Sequence, residues 1–214
     1  LLAWQAAPSR DFFDFVLPRL HRYLQWAIRH FDPEESALPL WPNEEDAFLP
    51  ATHDERIATA DLPAFLCAEI DALTELSSAV AVGGIPLQDL ERYRARLQET
   101  LTGFFWNEGS RLFKDRQIEG PAVARETLSA AVPLLVTSLP EEFTQPVDEW
   151  LADPNQFLTG RGWQAWLPWP SDADAPPVLP AHQLLLFTAL ERHAPDGVPA
   201  RVREAIRAAK GKAS

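Results

Sequence analysis

Two stretches of this sequence hold side chains whose types and spacing could do chemistry. Trp41-Pro42-Asn43-Glu44-Glu45-Asp46 sets a large ring beside three carboxylates. That combination suits a sugar: an indole offers a flat amphipathic face to a pyranose, carboxylates accept from its hydroxyls, and a carboxyl raised by apolar surroundings can protonate a glycosidic oxygen. A packed Trp beside a solvated acidic turn accounts for the same residues. The second stretch runs from Gly160 through Arg161 and Gly162 to Trp163, Trp166 and Trp169, with three rings at three-residue spacing. Such rings could line a groove, or, on a helix, bury a stripe in the core.

Other chemistries find little support. His21, His30, His53, His182 and His193 show no metal-ligand spacing, so no metal is expected. The serines and the one cysteine lack a nucleophile-elbow context, and the glycines form neither a dinucleotide fingerprint nor a phosphate loop, so no cofactor is expected. Cys67 reads as a small buried hydrophobe on a helix beside Leu66 and Ile70. Its solitude rules out an internal disulfide and leaves the compartment open. A net charge of −12 repels nucleic acid phosphates and anionic lipid, while a neutral polar ligand is not penalised. No run approaches the roughly 20 apolar residues of a membrane span. Neither nucleic acid nor membrane is therefore an expected partner, while a small carbohydrate is compatible with the charge.

The elements that must position these residues read as helices. Phe12, Phe13, Val16, Leu20, Leu24, Ile28 and Phe31 recur at helical steps over Ser9–Phe31, with Pro18 expected to divide the run. Asp61–Val80 repeats the pattern, with Asp61 placed to cap and Pro63 in the first turn. Gly83 and Gly84 stop it, and a third helix carries Leu90, Tyr93, Leu97, Leu101 and Phe104, making an antiparallel hairpin with the second. Arg111–Arg116 alternates weakly, as a short extended excursion. Helical patterns resume at 122–138, 141–152, 180–193 and 199–209, and no segment reads as a sheet strand. The expectation is one all-α domain of antiparallel helix hairpins over 1–214. Its two long connections, 32–60 and about 155–179, are the places where function belongs.

The order of segments resembles trehalase-like and processing α-glucosidase-like glycoside hydrolases. Asp11 to Trp41 is similar to the family's paired-aromatic helix, proline, Trp-ending helix and DP turn before the Trp of its catalytic loop. Asp61-Leu62-Pro63-Ala64-Phe65-Leu66 resembles its DLNAFL segment. Trp106-Asn107-Glu108 with Leu112-Phe113-Lys114-Asp115-Arg116 resembles its WDEE…FYDRD hairpin, and Arg161-Gly162 with the tryptophans its WRGPVW loop. The resemblance implies part of an (α/α)6 toroid and an inverting reaction on an α-linked glucoside or small glycoside. In that family the general-acid Asp follows the Trp by five residues, as Asp46 follows Trp41.

On this basis Asp46 is the expected acid, with Trp41, Glu45, Arg161, Trp163 and Trp166 shaping the sugar site. Ala47-Phe48-Leu49-Pro50 depart from the family's continuation after the acid, and Glu44 or Glu45 could take its place. The family's base carboxylate follows the segment matching Ala200–Ala209 and has no counterpart here. With no methionine, even at position 1, this points to a partial catalytic domain whose partner is the remainder of the same protein. The alternative is a noncatalytic helical-hairpin module that binds carbohydrate or grips a protein through its tryptophans.

Overall fold

A computed structural model describes residues 10–42, 57–80, 86–123, 126–153, 158–159, 162–163, 166–167 and 180–193. Helix α1 spans Arg10–Phe31, α2 Asp61–Val80 and α3 Gln88–Thr100, the last widening into a π-turn over Leu101–Phe105. A 3-10 segment follows at Leu128–Leu135, then α4 at Glu141–Ala152 and α5 at Pro180–His193. The fold is all-α, as its periodicity implies.

Helix α1 is continuous through Pro18, against the expected division. The carbonyl that the proline ring strands, four residues back on Asp14, lies on an exposed turn where water can satisfy it. The Arg19 guanidinium also donates to the neighbouring Phe15 carbonyl at 2.6 Å. The opposite face buries Phe13, Leu17, Leu24 and Ile28 against α2. An exposed face carries Phe15, Tyr23 and Trp26, with Trp26 stacked on His30 at 4.9 Å.

Contacts at His21 with the Pro86 carbonyl (3.2 Å) and at Asp32 with Tyr93 (2.8 Å) advance together along both chains, so α1 and α3 run in the same direction. Helix α2 runs against them and packs on α1, α3 and the 3-10 segment. Its buried Leu62, Leu66, Ile70 and Leu73 repeat at three- and four-residue steps. Arg94 on α3 grips Asp71 on α2 with two nitrogens, at 2.8 and 2.9 Å. Cys67 is fully buried, as expected of a small core hydrophobe, and burial pushes its thiol up to about 12.

Two further expectations need correction. The 122–138 stretch is not one helix: Glu126–Thr127 is extended, and only Leu128–Leu135 coils, as a tight 3-10 segment buried at every position. A stripe-forming α-helix leaves a wet side, and this segment has none; Pro133 inside it also removes a donor. Short strands are present too. Named in chain order, they are β1 Ile57–Ala58, β2 Trp106–Asn107, β3 Leu112–Phe113, β4 Arg116–Gln117, β5 Glu126–Thr127, β6 Leu158–Thr159, β7 Gly162–Trp163 and β8 Trp166–Leu167. They pair antiparallel as β1 with β4, β2 with β3, β5 with β8 and β6 with β7. Two residues are too few for alternation to show in sequence. The extended excursion expected at Arg111–Arg116 is there, as β3 and the start of β4. Helices expected at 141–152 and 180–193 are present; 199–209 lies outside the described residues.

The chain leaves α1 through a turn built on one buried carboxylate. Asp32, 3% exposed, accepts from the Ser36 amide and hydroxyl (2.9 and 2.8 Å), the Ala37 amide (2.7 Å) and the Tyr93 hydroxyl (2.8 Å). Those bonds hold Glu35 and Ala37 at φ of 51° and 63°, a region side chains avoid, and return the chain so that Leu40 bonds back to the Phe31 carbonyl at 2.8 Å. Replacing Asp32 by Ala strands four donors and should destabilise the fold by about 3 kcal/mol or more, while Tyr93→Phe should lose about 1 kcal/mol. Urea unfolding of both variants measures this; equal effects would contradict the carboxylate's central place in the turn.

Candidate functional site

The C-terminal ends of α1 and α3 and the N-terminal end of α2 lie together, and the loops that leave them converge there. Strand β1, just before α2, pairs with β4, just after α3: Ala58 faces Arg116 and Ile57 faces Gln117. Strand β5 pairs with β8, setting Thr127 opposite Trp166 and Glu126 opposite Leu167. The second long connection is thereby stitched to the same end.

Two carboxyl groups sit in the middle of this junction. Asp61, 1% exposed at the start of α2, accepts on Oδ1 from the Trp41 indole at 3.1 Å and from the Thr59 hydroxyl at 2.5 Å. Asp115 accepts on Oδ1 from the Ala60 amide (3.1 Å) and the Ser129 hydroxyl (3.0 Å), and on Oδ2 from the Thr127 hydroxyl (3.4 Å). Burial pushes the Asp61 carboxyl up to about 7, and nearby Asp115 adds to the rise; the Thr59, Trp41 and Leu62 donors pull the other way. Asp115 is raised too, by burial, against the pull of Ala60, Ser129, Thr127 and the Lys114 ammonium. Lys114 is itself neutralised by Glu126 at 2.8 Å, with only 12% and 31% of the two side chains exposed. Leu112, Phe113, Lys114, Asp115, Glu126, Thr127 and Ala130 enclose a crevice there too narrow to admit water.

Of the sequence-predicted site residues, Trp41 lies at this junction. It is half-buried, its N–H is engaged by Asp61, and Phe31 meets its ring edge-on with centroids 5.4 Å apart. Trp166 is brought to the same end by the β5–β8 ladder. Trp163 departs from the expected sugar contact: its ring is 1% exposed, and its indole donates to the Leu151 carbonyl at 2.8 Å. The Gln183 carboxamide closes both its backbone groups at 2.8 Å, as a paired strand would. Trp163 thus anchors the loop to α4 and α5, with no ring face left for a ligand. Asp46, Glu44, Glu45 and Arg161 lie outside the described residues.

In the sequence Asp61 reads as a helix cap within the DLNAFL-like segment and Asp115 as part of a hairpin, and neither reads as a site residue. The available signal was charge in apolar company: Asp61 in Ile57-Ala-Thr-Ala-Asp-Leu-Pro-Ala-Phe-Leu66, and Asp115 just after Leu112-Phe113. Among the described residues no group of three or more His, Cys, Asp or Glu side chains is placed to hold a metal ion, and no helix is long and apolar enough to cross a membrane.

This arrangement of helix hairpins with short ladders at one end defines an all-α fold related to the (α/α)6 toroid enzymes. A glycoside hydrolase is among the solved structures that match. GH63 mannosylglycerate hydrolase from Thermus thermophilus, in complex with Tris and D-glycerate, superposes with a TM-score of 0.76 at 11% identity over 94% of this chain. The same enzyme in complex with glucose gives 0.74 at 11% over 93%. An uncharacterized conserved protein from the same organism gives 0.73 at 12% over 94%. The chain spans 60–65% of the length of these solved chains. No family model matches the sequence, and no curated protein does. At such identity the likeness is one of fold, and the fold is glycoside-hydrolase-like.

Asp61 also makes stability depend on pH. Its folded-state value of about 7 lies above its ordinary 3.8, so between these the folded chain keeps a proton that the unfolded chain has released. Stability should therefore fall as pH rises from about 4 to 7 and level off above, with Asp61 contributing up to ~1.4 kcal/mol per pH unit. Asp61→Asn, isosteric with the protonated acid, should reduce that slope and leave the share of Asp115. Thermal melts from pH 4.5 to 8 decide it, an unchanged slope being the contrary outcome.

Proposed function

We propose that this chain is a glycoside hydrolase-like domain that binds, and if active hydrolyses, an α-linked glucoside or small glycoside with inversion. The observation that carries the reading is the pinned Trp41 ring. It stands at the head of the acidic run Glu44-Glu45-Asp46, at the end of the bundle to which the Trp166 strand is also stitched. The likeness in fold to an enzyme whose structures contain glucose or D-glycerate supports the same class of ligand.

In this reading Asp46 protonates the glycosidic oxygen as the bond to the anomeric carbon breaks. A water, deprotonated by a second carboxylate on the opposite face, adds to that carbon, and the two carboxyls stand roughly 6.5 to 9.5 Å apart. Glu45 and Arg161 bind hydroxyls, while Trp41 and Trp166 offer ring faces. The second carboxylate belongs to the remainder of a longer protein, a partner consistent with the chain spanning 60–65% of the solved chains it matches.

A second reading, a noncatalytic interaction module, is favoured by one observation: the aromatic face of α1, where Phe15, Tyr23 and Trp26 are 58%, 53% and 51% exposed. Aromatic rings in such numbers are typical anchors of protein partners.

Calorimetric titration with trehalose, maltose, kojibiose, glucosylglycerate and mannosylglycerate, with a sugar-release assay on wild type and Asp46→Asn, separates the cases. Release reduced about 10²- to 10⁴-fold in the variant is the outcome for an acid catalyst. Binding without release marks a carbohydrate-binding domain. A folded chain that does neither would sink the glycoside reading.

A further inference from the structure

The two loops that carry the proposed sugar contacts are joined through the interior. The Trp41 indole donates to Asp61. One residue earlier the Ala60 amide donates to Asp115, which also accepts from the Thr127 hydroxyl. The backbone of Thr127 pairs with that of Trp166. Every joint in this chain of contacts is a hydrogen bond or a peptide link, and its centre is out of water, where such bonds are strongest.

We propose that Asp61 and Asp115 are positioning residues that hold the Trp41 ring and the Trp166 strand in one register, so that a sugar meets both as a single preformed wall. The proposal rests on the glycoside reading of the site and deepens it. Asp61 is 1% exposed, so it acts through Trp41 and not on a ligand. The arrangement also narrows the ligand class. The only polar group of the Trp41 ring is engaged by Asp61, so what the ring offers is its π-face. A pyranose with an apolar face fits that offer; a ligand needing a donor from the indole does not. Thr59 and Phe31 reinforce the pose, one by occupying the same carboxyl oxygen and the other by meeting the ring edge-on. Lys114 and Glu126, charged neighbours of Asp115, neutralise each other. A preformed wall binds more tightly because less freedom is lost on association.

The test needs one readout without sugar and one with it, both on the full 214-residue chain. Indole N–H resonances are assigned to Trp41 and Trp166 through Trp41→Phe and Trp166→Phe. Asp61→Ala, which removes the acceptor, is expected to move both resonances and to weaken binding of methyl α-glucoside and glucosylglycerate about tenfold. Asp61→Asn, which keeps an oxygen at the same place, is expected to return both resonances and to bind within about twofold of wild type. Movement of Trp41 alone would overturn the register, as would equal loss of affinity in the Asn and Ala variants. Should Asp61→Ala fail to fold, Thr127→Val cuts the link on the far side of Asp115 while leaving every Trp41 contact in place. It must still shift the Trp41 resonance, and a silent Trp41 overturns the proposal. If both resonances move together but wild type binds neither sugar, the register stands and the glycoside reading of the site falls.

Discussion

Keeping two carboxyl groups out of water beside one another is the constraint around which the described structure is arranged. An unpaired charge in such a place costs several kcal/mol, and an acid so placed keeps its proton or collects donors. Asp61 and Asp115 do both: their carboxyls are raised, and they collect donors from Trp41, Thr59, Ala60, Thr127 and Ser129. These donors come from the first long connection, from the residues before α2 and from the start of the 3-10 segment. Satisfying the two acids therefore brings separate parts of the chain to one end of the helix bundle. The short ladders β1–β4 and β5–β8 are the backbone counterpart of that convergence.

How much of this could be read from sequence differs by element, for physical reasons. Helices α2, α4 and α5 lie where periodicity set them, because one face of each meets the core and the other meets water or lighter packing. The 3-10 segment misled because Leu128–Leu135 is buried all round, and a continuous apolar run carries no period that tells one helix type from another. Pro18 misled because the cost of an interior proline depends on whether water can reach the stranded carbonyl, which is a property of the fold. Among site residues, it is segment order that puts Trp41 and Trp166 in one expected site. The two acids between them were visible as residues but not as a pair, since 54 positions separate Asp61 from Asp115 in the sequence.

The three-residue spacing of the loop tryptophans shows why spacing alone cannot build a groove. On a helix, Trp163 and Trp166 would share a face. Here they belong to different ladders: Trp163 pairs with Leu158, and Trp166 pairs with Thr127. The first ring enters the core and its N–H is satisfied by Leu151, whereas the second residue is tied to the acid junction. One tryptophan thus fixes its strand against α4 and α5, while the backbone of the other pairs with the strand that leads into the 3-10 segment. The Gln183 carboxamide performs the same service for the backbone, bonding both sides of Trp163 as a neighbouring strand would.

The charge distribution argues in the same direction. With a net charge of −12, the chain's average field disfavours an anionic ligand unless local cations offset it. At the acid junction the well-buried ammonium of Lys114 is already paired with Glu126. The proton held on Asp61 keeps a further negative charge from that centre at pH values below about 7. What the junction offers is therefore a fixed ring face beside hydrogen-bonding groups, with the Lys114 charge paired and Asp61 protonated below about pH 7. A neutral polyhydroxylated ring is the ligand that such a surface penalises least.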